Sequence, residues 1–522
     1  MKMGENPVRG LESFLFLQVI AIFIHSSMSF FIRYLAALIF SLPCFMVSQV
    51  KLPAPLLPIP SERQLEWQNL EYYGFLHFTV NTFTDKEWGY GDEPESTFNP
   101  TRFDADQIVH TATEAGMKGL ILTCKHHDGL CLWPSAFTAH SVKSSPWKGG
   151  RGDVVREISD ACRKHGIKFG IYLSPWDRNR KDYGNPEYVT YYRNQLRELL
   201  TNYGEISEVW FDGANGGDGY YGGAREERFI DKKTYYGWNE TCALVRTLQP
   251  QAVIFSDVGP DIRWVGNEQG FAGETCWAMY SPVGEHGGEP APGDTQYEQG
   301  MTGQEEGRFW LPAECDVSIR PGWFYHSAED SLVKSGRELF QLYLLSVGRN
   351  GSLLLNIPPD RRGQIHDRDR ESLVEFRRLR DMAFSTNLAR GASVSASNVR
   401  GGDARFAGQK AIDGNSETYW ATDDGIHSSS LVLQFPAPQD VNCVVIGEYL
   451  ALGQRIGGFT VDGFDGTAWK VLTKGTTVGH KRIMTFPTAT ISAVRVSIAS
   501  ARACPVVSEV GVYRIPIEFV AR

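Results

Sequence analysis

The segment Glu208-Val-Trp-Phe-Asp-Gly-Ala214 is an apolar run that ends in a carboxylate, Asp212, with glycine directly after it. A strand stopping there leaves the acid at a rim. From a rim it can attack a sugar's anomeric carbon, act as a base or hold a metal. The same pattern also suits a helix cap. His126 and His127 are adjacent. Neighbours on a strand point to opposite sides, so one is expected to face a pocket and the other the loops or outer layer. Zinc needs converging ligands, which adjacent histidines rarely supply. Neutral imidazoles both donate and accept hydrogen bonds, which suits sugar hydroxyls. Asp257-x-x-x-Asp261 shows too few oxygens for a cation. The 522 residues include 13 Trp and 21 Tyr, whose flat faces suit sugar rings as well as cores. With 52 basic and 61 acidic residues the net charge is −9, which argues against a nucleic-acid or anionic-membrane partner. None of the nine cysteines forms a CxxC pair.

Such groups act together only if a scaffold brings strand ends to one face. Over residues 61–384 short β-branched and aromatic runs alternate with amphipathic ones. The expected strands are 74–80, 119–123, 168–173, 208–211, 252–256, 309–312 and 352–357. Helices are expected at 105–115, 154–164, 186–202, 235–248 and 332–345. This rhythm predicts a (β/α)8-type barrel. An open doubly wound sheet is the alternative, weakened because no glycine-rich phosphate loop follows the first strand. In a barrel the carboxyl ends of strands carry the chemistry. Read in order they present His77, Lys125-His126-His127-Asp128, Tyr172 with Trp176-Asp177, Asp212, Asp257, and Glu314 with Asp316. Residues 385–522 change to short alternating strands with Gly, Asp and Asn turns, predicting an antiparallel β-sandwich. Residues 1–48 read as a targeting segment: Arg33 is a positive n-region, Tyr34 to Leu42 an apolar h-region and Ser48 a cleavage site. On this reading Met28 starts the signal and the chain is exported, to a periplasm or outside the cell. An uncleaved anchor is the rival. Residues 49–60 are Pro-rich and read as an extended linker.

Several blocks occur in one order: Gly-Phe-Leu-His77-Phe, Glu87-Trp88-Gly89, Leu122-Thr-Cys-Lys-His-His-Asp-Gly129, Gly170-Ile-Tyr-Leu-Ser-Pro-Trp-Asp177 and Val209-Trp-Phe-Asp-Gly-Ala214. That order resembles the α-L-fucosidases of glycoside hydrolase family 29. The blocks running through Arg263-Trp-Val-Gly-Asn-Glu268 and Pro312 to Trp323 resemble its α-1,3/1,4-selective branch. The resemblance implies an exo-acting, retaining hydrolase that works through a covalent glycosyl-enzyme and acts on a fucosylated oligosaccharide or glycoconjugate. It places the nucleophile on Asp212 and the acid/base on Glu268, with Glu274, Glu285 and Glu314 as runners-up for the acid. It puts fucose-binding roles on His77, Glu87, Trp88, His126, His127 and Tyr172. Trp88, Trp277 and Trp323 are candidates for an aromatic wall against the sugar's 5-methyl group. No metal or organic cofactor is required. The sandwich resembles a discoidin-like module. In that fold an Asp-Gly-Asn turn often holds a structural calcium, here at Asp413, Asn415 and Thr418, with Trp420 in the core. The alternatives are a catalytically silent fucose-binding protein or another retaining exo-glycosidase.

Overall fold

The computed structural model describes residues 50–519; the targeting segment expected at 1–48 lies outside them. Eight parallel strands close into a barrel: β1 Tyr72–Leu76, β2 Gly119–Lys125, β3 Lys168–Leu173, β4 Glu208–Trp210, β5 Val253–Ser256, β6 Ile262–Trp264, β7 Ala313–Ser318 and β8 Ser352–Asn356. The order around the barrel is β1-β8-β7-β6-β5-β4-β3-β2. Outside it run α1 Ala105–Glu114, α2 Val154–His165, α3 Pro186–Asn202, α4 Trp238–Leu248, α5 Gly336–Leu345 and α6 Asp367–Ala383. The Asp104 and Asp153 side chains accept a backbone N–H in the first turn of α1 and α2, and Ser335 with Glu338 builds a capping box on α5. Gly166 ends α2 in the left-handed region, φ 70°.

The strands obey period two. Tyr73, Phe75, Ile121, Tyr172, Trp210, Phe255, Ile262 and Leu354 pack inside the barrel. Their neighbours Tyr72, Leu76, Leu120, Leu122, Ile171, Val209, Ile254 and Leu355 pack outward against the helices. The column Glu208–Trp210–Asp212 therefore climbs the inside of β4, and Tyr73–Phe75–His77 climbs β1. A short helix, Glu62–Gln68, plugs the amino-terminal end: the Trp67 indole donates to Glu208 and the Gln64 amide donates to the carbonyls of Asp261 and Trp310.

One expected strand is misplaced. Residues 309–310 are not in the barrel; they pair antiparallel with Met279–Tyr280 in a small separate sheet. The barrel's sixth strand is Ile262–Trp264 and its seventh begins at Ala313. Only five residues separate β5 from β6, and no helix lies between them, so the expected strand–helix rhythm skips that turn.

The carboxyl-terminal domain is the expected antiparallel sandwich. Its sheet pairs Trp420–Ala421, Ser429–Glu448, Ile456–Phe464, Trp469–Gly475, Arg482–Ala501 and Val506–Tyr513, and Ser393–Ala396 pairs with the second of these. Trp420 is fully buried in its core. At the 413–418 turn the Thr418 hydroxyl and the Asn415 N–H donate to Asp413, and Lys410 Nζ lies 3.4 Å from that carboxylate. A calcium ion would have to displace the lysine and take oxygens already spent on the turn.

The segment read as a linker is extended but not free. The carbonyls of Leu52 and Ala54 accept from Arg400 and Arg455 of the sandwich, and the Leu56 N–H donates to Leu452. Barrel and sandwich also meet directly: the Cys276 N–H donates to Thr477, the Ala278 N–H to Gln454 and Arg482 to the Glu274 carbonyl.

Candidate active site

A cleft of about 490 Å³ opens at the carboxyl ends of the strands. It is lined by Asp212 and Glu268 together with His77, Glu87, Trp88, His126, His127, Tyr172 and Trp323. The two residues given catalytic roles and seven of those given sugar-binding roles are thus brought into one cavity.

Asp212 stands two residues past β4, on its inward column. Tyr172 Oη donates to Oδ2 at 2.8 Å and the Ala214 N–H to Oδ1 at 2.7 Å. It caps no helix. Burial pushes its carboxyl up to about 6, the charges of Asp257 and Glu268 add to this, and the two hydrogen bonds oppose it. Gly213 is needed for space: a Cβ there would sit 2.3 Å from Asp257 Oδ2.

The two histidines correct a sequence expectation, because both face the cleft, with ring centres 4.1 Å apart. The strand register shifts between Thr123 and Lys125 and the strand then ends, so alternation no longer governs 126 and 127. Ser174 Oγ donates to the Trp176 carbonyl, so His127 Nδ1–H must donate to Ser174, at 2.7 Å. This leaves His127 Nε2 as an acceptor, 3.6 Å from Asp212 Oδ2. Two acceptors facing each other make a place for a hydroxyl hydrogen. By the same logic Asn356 Nδ2 spends its hydrogens on Ser318 and the Trp323 carbonyl, so its Oδ1 accepts from His77 Nδ1–H. His77 Nε2 then remains as an acceptor. Burial holds His77 and His127 down to about 3 and lowers His126 as well. All three are neutral hydrogen-bonding groups at ordinary pH. His126 makes no hydrogen bond to the protein through its buried Nδ1.

Glu87 anchors the loop that carries Trp323. Its carboxylate accepts the N–H groups of Trp323 and Phe324 and lies 2.6 Å from His326 Nε2. Trp323 Nε1–H in turn donates to Glu268 Oε2 at 3.1 Å. Beyond Glu268 the chain docks on the sandwich through Cys276 and Ala278, so both ends of this acid's loop are tethered. Trp88, half exposed, stands edge-on to His127 and Trp176.

The other candidates fall elsewhere. Glu314 lies inside the barrel below the cleft, and Glu274 and Glu285 are exposed outside it. Trp277 packs with Trp310 and Leu450 at the sandwich. The sequence reading did not single out Trp210, Phe75 and Phe255, which form the cleft floor, nor Trp264, Lys232 and Tyr297, which also line it. Trp210 was visible in its alternation with Asp212. Lys232 and Tyr297 sit in irregular loops that carry no period. Lys232 Nζ donates to the Gly293 carbonyl at 2.8 Å, and the Gly293 N–H and Tyr297 hydroxyl donate to Asp257.

The chain is similar to known proteins over most of its length. A family model described as alpha-L-fucosidase matches residues 56–378, and one described as a NedA-like, galactose-binding domain matches residues 410–497. The chain is 43% identical over 466 residues to alpha-L-fucosidase 1 of Arabidopsis thaliana, covering 88% of each chain. Among solved structures, a glycoside hydrolase 29 family member from an unknown rumen bacterium is 43% identical with TM-score 0.79, covering 89% of this chain and 78% of that one. A Ruminococcus gnavus GH29 fucosidase in complex with fucose is 32% identical with TM-score 0.79, covering 91% of this chain and 98% of that one.

Proposed function

Because the chain belongs to the α-L-fucosidase family, glycoside hydrolase family 29, we propose that it removes terminal α-1,3- or α-1,4-linked fucose by a retaining, double-displacement route, in an exported setting. The observation that carries this reading is the placing of Asp212 and Glu268 on one cleft that also gathers three neutral imidazoles, His77, His126 and His127. Ionised Asp212, oriented by Tyr172 and the Ala214 N–H, attacks the anomeric carbon. Glu268 protonates the departing oxygen, then takes a proton from the water that releases fucose. A retaining pair works with its carboxyls about 5 to 5.5 Å apart. His77 Nε2 and His127 Nε2 accept sugar hydroxyl hydrogens. The Phe75, Trp210 and Phe255 floor, with Trp88 and Trp323 at the sides, suits a ring that carries a methyl group. The test is fucose release from a Lewis-type trisaccharide, with NMR of the first-formed anomer. A first product of inverted configuration rejects the double displacement. Faster hydrolysis of an aryl galactoside than of the aryl fucoside rejects the sugar.

Two further outcomes follow. Asp212 must be ionised to attack, and burial pushes its carboxyl up to about 6. So the acidic limb of kcat/KM should fall about tenfold per pH unit below that value. A pH profile flat down to pH 4 counts against Asp212. Second, Lys232 lines the cleft and holds the Gly293 turn, and we place it against the leaving group. Lys232→Met should therefore lower kcat/KM for the trisaccharide by roughly tenfold, about the worth of one hydrogen bond to a charged group. The aryl fucoside, lacking the second sugar, should be nearly unaffected.

A further inference from the structure

One layer beneath the cleft two acidic side chains meet in the buried interior of the barrel. Glu208 begins the inward column of β4 and Glu314 that of β7; both are buried, Glu314 completely. They stand at one level: the indole of Trp210, two residues on from Glu208, donates to Glu314, and the rings of Trp67 and Tyr73, which donate to Glu208 and Glu314, have centres 6.2 Å apart. The other donors reaching them are uncharged. Trp67 Nε1–H donates to Glu208 Oε2 at 3.0 Å, the Tyr73 hydroxyl donates to Glu314 Oε2, and Trp210 Nε1–H donates to Glu314 Oε1 at 2.7 Å. No lysine, arginine or histidine forms an ion pair with either carboxyl among the described residues. The remaining oxygen, Glu208 Oε1, is buried without a donor.

Two bare carboxylates side by side, out of water and with only neutral donors, would be strongly disfavoured. One proton on Glu208 Oε1 removes a charge and gives the orphaned oxygen a role. It also supplies Glu314 with a third donor, beside Tyr73 and Trp210, which is enough to hold a buried carboxylate. Burial first, then the charge of Glu314, raises the Glu208 carboxyl well above the usual range, in accord with this count.

We propose that Glu208 is a standing acid that donates through Oε1 to the Glu314 carboxylate, and that Glu314 is the positioning residue for the sugar cleft's floor through its grip on the Trp210 indole. The indole lies flat on Phe255, with centres 4.2 Å apart at 9°, and its ring centre is 5.3 Å from that of Tyr172. Tyr172 is the residue that donates to Asp212. An indole released from Glu314 would tilt the floor and, through Tyr172, the nucleophile. The proton assignment stands apart from the fucosidase reading; only the kinetic consequence rests on it.

The test uses the full chain and two isosteric variants. Glu208→Gln keeps an oxygen for Trp67 and offers an amide N–H in place of the acid O–H. It should retain the wild-type melting temperature and kcat/KM within about twofold. Glu314→Gln turns an N–H towards Tyr73 or Trp210 and discards the charge. It should lose roughly tenfold or more in kcat/KM, by the same factor for the aryl fucoside and the trisaccharide, because the damage is on the sugar side they share. Equal losses in the two variants, or the reverse ranking, overturn the proposal. If Glu314→Gln does not fold, infrared difference spectroscopy decides. Wild type minus Glu208→Gln at pH 8 should show the carbonyl band of a neutral carboxylic acid, and its absence refutes the assignment. A wild type inactive on both fucosides that still shows the band would remove the fucosidase reading and leave the proton in place.

Discussion

Asp212→Gly should lower turnover of any fucoside by about 10⁴-fold or more, since on the proposed route it deletes the group that forms the covalent bond. The fold should survive. The Asp212 carboxyl sits in a buried site that raises it to about 6, above its unfolded value near 3.8. A group shifted upward binds its proton more tightly when folded. Its contribution to stability is therefore greatest below pH 4 and declines as pH rises towards 6, so the ionised side chain burdens the fold at neutral pH. The variant's melting temperature at pH 7 should match or exceed that of the wild type. Azide should restore cleavage of an activated aryl fucoside and give the fucosyl azide of opposite anomeric configuration, because the small anion enters from the vacated face. Normal turnover in the variant, or a melting temperature several degrees lower, would show that Asp212 is structural.

The second large effect belongs to Glu268. Glu268→Ala should slow the trisaccharide by about 10³-fold, within the range expected for general acid catalysis. An aryl fucoside with an acidic phenol should lose far less in bond cleavage, because its leaving group needs little protonation. Its remaining defect should lie in hydrolysis of the intermediate and appear as a burst of phenol. The geometry sharpens this prediction: Trp323 Nε1–H donates to Glu268, and Glu87 holds the Trp323 loop. If Glu268→Ala cleaves both substrates alike, the acid must be sought elsewhere on the rim, with Glu87, Asp257 and Asp316 the other carboxylates lining the cleft.

The parts of the molecule that follow a period were legible in the sequence. β1 to β5 and β8 alternate cleanly, and their ends delivered His77, Tyr172 and Asp212 to the rim as expected. Legibility failed where the chain abandons periodicity. β6 is three residues long after a five-residue turn, and the stretch between β6 and β7 has no barrel helix, so Phe309 and its neighbours were assigned to the barrel in place of Ile262–Trp264. The outward place expected for one of His126 and His127 failed for a related reason, since the register shift at the end of β2 frees both rings to turn inward. Glu268 lies on such an aperiodic loop and was readable only through the family resemblance. Its position depends on tethers to Trp323 and, further along, to the sandwich, contacts between distant parts of the chain that no local pattern announces. Glu314 was weighed as an acid because it is a carboxylate near a strand end. The two-residue spacing to Asp316 puts it one layer too deep.

The strap from Leu52 to Leu56 ties the segment before the barrel to the domain made after it; the Ala54–Arg455 bond spans 401 positions. During translation this segment must wait while the ribosome makes the barrel and much of the sandwich, because its binding surface does not yet exist. The final locking step is thus a long-range closure with a large entropic cost, and belongs late in folding. A truncation that stops after the barrel would emerge with a loose front end and an acid-bearing loop lacking its buttress.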